Sequence, residues 1–195
     1  MNPILLDFPD AFDTERLIIR APRSGDGAQV AEAVRESLDE LRPWMPFASE
    51  EPTVESQEAW VRQGTASWIA RNDLPMLLFL KDTQTLVGSS GLHRFDWNVG
   101  KFEIGYWART GFAGRGYITE AVNGITQFAF AYLKAHRVEI RCDVKNVRSA
   151  AVAKRCGFLL EGILRNDDLG LDGSLRDTLV FSKISPTEFH RYDET

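Results

Sequence analysis

Several scarcities narrow what this chain can be. It carries two cysteines, Cys142 and Cys156, in 195 residues. That number cannot build a disulfide framework, and the three histidines do not join them at metal-ligand spacing, so free thiols and no metal are expected. No apolar run approaches the roughly 18 residues of a membrane span. The N-terminus is acidic and lacks the basic segment and apolar core of a secretory leader, which leads us to expect a cytoplasmic protein with no membrane partner. Positive charge is in deficit, 23 Lys and Arg against 28 Asp and Glu, a formal net charge of −5. Such a balance argues against a general nucleic-acid binder and suits an amine-bearing acceptor. There is no internal repeat, low-complexity segment or long linker. With 44% hydrophobic residues, the length supports one well-buried core and falls short of two ordinary domains. A single domain is expected over 1–195, with 1–13 as an N-terminal extension and 186–195 as a C-terminal tail.

What is present is an alternation of strand and helix signals. Residues 17–21 read as a strand. Ser24 and Asp26 open a helix to about residue 40, with Ala28, Val30, Ala31, Val34 and Leu38 near its apolar side, and Pro43 and Pro46 end it. Thr53 with Ser56 begins a second helix, reaching about residue 71. Strands follow at 76–81, 85–93 and 102–107, then a helix over 118–133 whose apolar residues recur at spacings of three and four. A strand at 138–144, a short helix at 148–156 and a hairpin of 158–166 with 175–184 around Asp172-Gly173 complete the pattern.

The most informative stretch is 102–121, where an alternating strand passes through Gly111, Gly114 and Gly116 directly into a helix. Glycines permit close approach of a ligand, and the unpaired N–H groups of a helix's first turn carry partial positive charge, so a diphosphate fits there. A Walker A loop is excluded because Tyr117 and Ile118, not Lys and Ser or Thr, follow Gly116. A dinucleotide fingerprint fits poorly, since Thr119 stands at its third glycine. Glycines that only make a tight turn are the remaining alternative.

Gly114-Arg115-Gly116 at the helix start resembles the acyl-CoA pyrophosphate loop of the GNAT acetyltransferase superfamily, Gln/Arg-x-x-Gly-x-Gly/Ala. Gly111 departs from it, standing where the pattern has Gln or Arg, with Arg109 and Arg115 as nearby sources of charge. Thr14-Glu15-Arg16-Leu17-Ile18-Ile19-Arg20, Arg42-Pro43-Trp44-Met45-Pro46, Glu103-Ile104-Gly105-Tyr106-Trp107, Asn146-x-x-Ser149 and Gly157-Phe158 occur in the order found in the ribosomal-protein N-terminal acetyltransferase (Rim) branch. The similarity covers about residues 14–185. It implies an α/β GNAT fold, a mixed, mainly antiparallel sheet of about seven strands with a central splay and about four helices, and acetyl-CoA as cosubstrate.

The resemblance also assigns roles. Glu103, on the strand before the loop, is the candidate base, with a structural carboxylate as the alternative. Ser149 would contact the cofactor sulfur and stabilise the departing thiolate, while Asn146 and Ser149 are also suited to helix capping. Many GNAT enzymes place a tyrosine acid four residues beyond this serine; here that position is Ala153. The free backbone amides of a splayed strand, implicating Trp107 and Arg109, would meet the pantetheine. The amides of Ala113, Gly114, Arg115, Gly116 and Tyr117, with the Thr119 hydroxyl, would hold the pyrophosphate beside Gly111. Arg148, Lys154 and Arg155 are candidates for the remaining phosphates. Trp44, His93, Tyr106 and Cys142 are candidates for the acceptor side, and each also fits simple packing.

An amine must be neutral to attack a thioester. Roughly one in seven α-amines is neutral at pH 7, against about one in 2,500 lysines. A site with a single candidate base therefore suits the protein N-terminal amine that the resemblance implies. Two alternatives stay open: a small-molecule amine acceptor such as an antibiotic or polyamine, and a non-catalytic acyl-CoA-binding module. A homodimer is compatible with the family, although no stretch of sequence reads as a dedicated interface.

Overall fold

The structure, a computed structural model, describes residues 2–170 and 172–185; the expected tail at 186–195 lies outside the described residues. Its centre is one eight-stranded sheet in the order β1-β2-β3-β4-β5-β6-β8-β7. In chain order the strands are β1 (Ala11–Asp13), β2 (Leu17–Arg20), β3 (Leu74–Leu80), β4 (Leu86–Asp96), β5 (Lys101–Ala108), β6 (Arg137–Asp143), β7 (Leu159–Leu169) and β8 (Leu175–Ile184). The helices are α1 (Gly27–Glu36), α2 (Leu38–Leu41), α3 (Val54–Ala70), α4 (Tyr117–Tyr132) and α5 (Val147–Arg155). The eighth strand is β1, which lies in the expected extension and pairs with β2.

Ser37 accounts for the fifth helix. Its Oγ donates to the Ala33 carbonyl at 2.7 Å and accepts the Thr110 N–H at 2.9 Å. A buried serine bonded this way competes with the helix backbone, so the expected single helix breaks into α1 and α2. Asp26 does not cap α1 with its side chain. It instead takes both arms of the Arg20 guanidinium at 2.7 Å each and the Arg23 N–H at 2.7 Å. Ala28 is exposed, and Gly27 is the residue packed against α3, where a Cβ would meet the Glu58 backbone at 2.6 Å. Thr53 and Ser56 form the reciprocal cap expected at the start of α3.

The sheet is covered on both faces. Leu17, Ile19, Met76, Leu78, Phe102, Ile104, Val138 and Ile140 pack with α4 and α5. On the opposite face Ile18, Leu77, Phe79 and Trp107 pack with Val30 and Val34 of α1 and Val61 of α3. Alternation along each strand distributes its residues between these two cores.

The break at the centre positions the site. All neighbouring strands are antiparallel except β5 and β6, which are parallel and pair only where Lys101, Phe102 and Glu103 face Arg137, Val138 and Glu139. Beyond Glu103 they separate, while β5 stays paired with β4 as far as Ala108. This is the expected splay. It leaves main-chain groups of β5 without a neighbouring strand.

Candidate active site

The N-terminal turn of α4 forms one end of the site. Gly116 is its N-cap, at φ 83°, and Gly114 lies at φ 76°, a region costly for residues carrying a Cβ. A Cβ on Gly114 would meet nothing within 4 Å, so this loop is open on its outer side. No side chain caps the helix. The N–H groups of Gly116, Tyr117, Ile118 and Thr119 therefore point outward, as the first four amides of a helix do.

The opening Thr-Glu-Arg segment holds this turn. Thr14 Oγ1 and the Arg16 N–H donate to Glu120 Oε1 at 2.6 and 2.7 Å, and Arg16 Nε reaches Oε2 at 2.7 Å. Arg16 also donates to the Arg115 carbonyl at 3.1 Å and lies 4.5 Å from the Tyr117 ring centre. Burial tends to raise the Glu120 pKa, but the bonds from Thr14 and Arg16 outweigh it and hold the carboxyl below its ordinary range.

A cleft of about 900 Å³ runs from this turn through the splay. Gly114, Gly116, Tyr117, Thr119, Asn146, Arg148 and Arg155 line its first part. Tyr106, Trp107, Ala108 and Ser149 line its middle, and Glu40, Leu41, Trp44 and Met45 its far end. Ala113 contributes to the wall, but its amide already donates to the Thr110 carbonyl at 3.1 Å, which removes it from the expected set of free donors.

Other cofactor expectations need correction. Arg109 is turned away into α1, where Nε meets Glu36 Oε2 at 2.6 Å and a terminal nitrogen meets Glu32. The Gly111 amide donates to the same Glu36, at 2.8 Å, and Gly111 does not line the cleft. Burial raises the Glu36 pKa, but Arg109 and Gly111 together pull it below its usual value, keeping the anchor charged. Arg115 lies 5.3 Å from the Phe112 ring centre, outside the cleft lining. Positive charge along the cleft wall comes instead from Arg148 and Arg155.

The strand amides also differ by one residue from expectation. The Arg109 N–H donates to the Val87 carbonyl at 2.9 Å. In an antiparallel ladder alternate residues point the same way, so Trp107 also faces β4. Tyr106 and Ala108 direct their amides into the splay, making them the free donors. Trp107 retains a place in the cleft through its side of the wall.

At the splay, Tyr106 and Ser149 meet. Tyr106 Oη donates to the Ser149 carbonyl at 2.9 Å and lies 3.0 Å from Ser149 Oγ. Burial lifts the Tyr106 pKa well above the ordinary phenol value, so it remains a neutral hydroxyl. Asn146 Oδ1 accepts the Ser149 N–H at 3.0 Å, giving the cap anticipated for α5. Cys142 is half-buried against Ser149. Burial raises its thiol pKa, with the Ser149 contact pulling part of the way back, and Cys142 does not line the cleft.

Two expected residues stand apart. Glu103 is 7% exposed on the α1–α3 face and takes a 2.7 Å bond from Arg94. Burial raises its pKa and the Arg94 charge opposes this. The structure does not bring Glu103 to Tyr106 and Ser149, which belong to the other face. Opposite Glu103 on β4 is His93, whose Nδ1 contacts Asp73 Oδ1 at 2.6 Å, also outside the cleft lining. Among the described residues no group of His, Cys, Asp and Glu is arranged to hold a metal.

The far end contains a contact that sequence reasoning missed. Arg176 on β8 donates to the Pro43 carbonyl at 2.8 Å, lies 5.8 Å from the Trp44 ring centre and approaches Asp143 Oδ2 at 3.4 Å. It thus ties the Trp44 loop to the ends of β6 and β8. Partners this remote in sequence leave no local signal, and Glu40 and Met45 were missed for the same reason.

Residues 16–159 match the family model described as an acetyltransferase (GNAT) domain, and the chain belongs to that family of N-acetyltransferases. The Bacillus subtilis (strain 168) protein named "Putative ribosomal N-acetyltransferase YdaF" is 31% identical over 171 residues, covering 87% of this chain and 92% of that one. The Escherichia coli (strain K12) [ribosomal protein uS5]-alanine N-acetyltransferase is 25% identical over 186 residues, covering 89% and 90%. Among solved structures, the microcin C7 self immunity acetyltransferase MccE, crystallised with acetyl-CoA and AMP, shares the fold with a TM-score of 0.84 at 22% identity, covering 91% of this chain and 98% of that chain.

Proposed function

We propose that this acetyltransferase moves the acetyl group of acetyl-CoA onto the N-terminal α-amine of a protein, with a ribosomal protein as the acceptor class. The observation carrying this reading is the single cleft that joins the bare N-terminus of α4 to the Tyr106–Ser149 pair at the splay. The outward amides of Gly116 to Thr119, with Arg148 and Arg155, would receive the diphosphate. The Tyr106 and Ala108 amides would hold the pantetheine and polarise the thioester carbonyl.

The neutral amine attacks that carbonyl carbon, the C–S bond breaks and the sulfur leaves as a thiolate. Tyr106 has one proton, and donating it to the Ser149 carbonyl leaves the Ser149 hydroxyl free to donate a hydrogen bond to the departing thiolate, which takes its proton from solvent. The amine loses its own proton to solvent after attack, since no carboxylate among the described residues lines the cleft beside Tyr106 and Ser149. The names of the YdaF and uS5-alanine relatives favour an α-amine acceptor, as does the larger neutral fraction of such amines at pH 7.

The test is thiol release from acetyl-CoA with Ser- and Ala-starting peptides, the same peptides with blocked termini, polyamines and aminoglycosides. Turnover on free termini that vanishes on blocking supports the proposal. Turnover confined to small amines replaces it with a small-molecule acetyltransferase, and tight acetyl-CoA binding without turnover on any of them points to a non-catalytic module. Glu103→Gln should keep kcat within about threefold, because Arg94 and not substrate is its partner; a hundredfold loss would restore Glu103 as the base.

A further inference from the structure

Charge is distributed unequally along the cleft. Its first part carries Arg148 and Arg155, whereas at the far end stands Glu40, the one carboxylate among the described residues that line it. Glu40 belongs to α2 and sits with Leu41, Trp44 and Met45 on that wall. Its Oε2 accepts the Thr110 hydroxyl at 3.0 Å, and the Thr110 N–H is in turn held at 2.9 Å by Ser37 Oγ, which belongs to a fully buried residue. The carboxylate is therefore anchored through one oxygen. The other, Oε1, has no hydrogen-bond or ion-pair partner among the described residues.

The cations around it are already matched. Arg42 pairs with Asp39 at 3.7 Å, Arg35 with Glu51 at 3.3 Å, and Arg109 with Glu32 and Glu36. Arg176, beside Trp44, approaches Asp143 at 3.4 Å. Glu40 thus presents an unneutralised negative charge on a wall otherwise formed by aliphatic and aromatic side chains. Such a wall suits a cation whose carbon chain packs along it. The cation it suits is not the reacting amine. A carboxylate close to that amine would favour its ammonium form, which has no lone pair for attack, and none lines the cleft beside Tyr106 and Ser149.

We propose that Glu40 is a specificity residue on the acceptor side, pairing with a second positive charge of the acceptor apart from the amine that is acetylated. In a protein N-terminus this charge is a Lys or Arg side chain within a few residues of the terminus. The proposal rests on the acetyl-transfer reading and narrows its acceptor class.

The test is thiol release from acetyl-CoA with Ala-starting peptides of one length that differ only in carrying Lys, Gln or Glu at position 2, 3 or 4. Lys at one of these positions is expected to lower KM about fivefold relative to Gln, as befits a partly exposed ion pair, and the advantage should shrink as salt is raised. Glu40→Gln should remove the Lys advantage, and Glu40→Lys should transfer it to the Glu peptide, with acetyl-CoA Kd and the thermal transition showing that both variants are folded. If small amines alone are acetylated, a diamine and a monoamine of equal length replace the peptides in the same comparison. A KM that ignores the second charge, or a preference that survives Glu40→Gln, overturns the role of Glu40 and leaves acetyl transfer standing. No thiol release with any amine overturns both.

Discussion

The two ends of the cleft are built differently. The α4 end consists of neighbouring residues: glycines in a turn, amides of a first helical turn and, on the next helix, Asn146 to Arg155. The groups it exposes to the cleft are largely backbone, so their chemistry follows from conformation. The Trp44 end is assembled from α2, the loop after it and the β7–β8 hairpin, and its geometry depends on Arg176 reaching Pro43 across 133 positions of sequence. Backbone sites can thus be read locally, whereas side-chain sites at the meeting of distant segments cannot.

Substitutions at the two ends should separate donor from acceptor effects. The largest change is expected from Gly114→Val, which puts a β-branched residue at φ 76° in the open loop. Acetyl-CoA affinity should fall about 100-fold or more with the fold retained, measured by calorimetry and circular dichroism. Normal affinity would remove the loop from the donor site. Ser149→Ala, at the junction, should lower kcat about 10- to 100-fold while acetyl-CoA Kd stays unchanged, since a thiolate contact matters in the transition state. Equal loss in binding and turnover would instead make Ser149 a structural cap.

Arg176→Ala should raise acceptor KM about tenfold and leave acetyl-CoA Kd alone. If donor affinity fell instead, the two ends would not be separable. The smallest effect on catalysis belongs to Glu120→Gln, which loosens the clamp on α4 at a cost to stability of about 2 kcal/mol. The folded Glu120 pKa is depressed, so its contribution is present above the ordinary carboxylate pKa and fades as pH falls through the folded value. Thermal melts should show wild type and variant differing at neutral pH and converging in acid; a constant gap would assign the loss to packing.

Much of this was visible before the structure. The order of strands and helices follows from periodicity, and the turn into α4 with Gly114 and Gly116 and the Asn146 cap follow from spacing, whereas Gly111 belongs to the Glu36 contact and not to the cleft. Arg109 was misread because its charge, adjacent in sequence to the loop, suggested a phosphate partner. Packing of α1 against the Thr110 turn gives it Glu32 and Glu36 instead. The difference between Trp107 and Tyr106 as sources of free amides is a matter of ladder parity, which a strand's side-chain pattern cannot reveal. Tyr106 was placed on the acceptor side, yet its hydroxyl lies against Ser149, because the separation of β5 from β6 lets the side chain reach α5.

By itself, the sequence determined the class of fold and the glycine turn that opens α4, since hydrophobic period, glycine placement and helix-end polarity act over a few residues. Tertiary structure alone decided which carboxylates neutralise Arg109, which amides enter the splay and how Arg176 ties the Trp44 loop to β8. Those outcomes depend on the relative placement of segments brought together by burial, and burial is satisfied by the whole chain at once rather than by any one stretch of it.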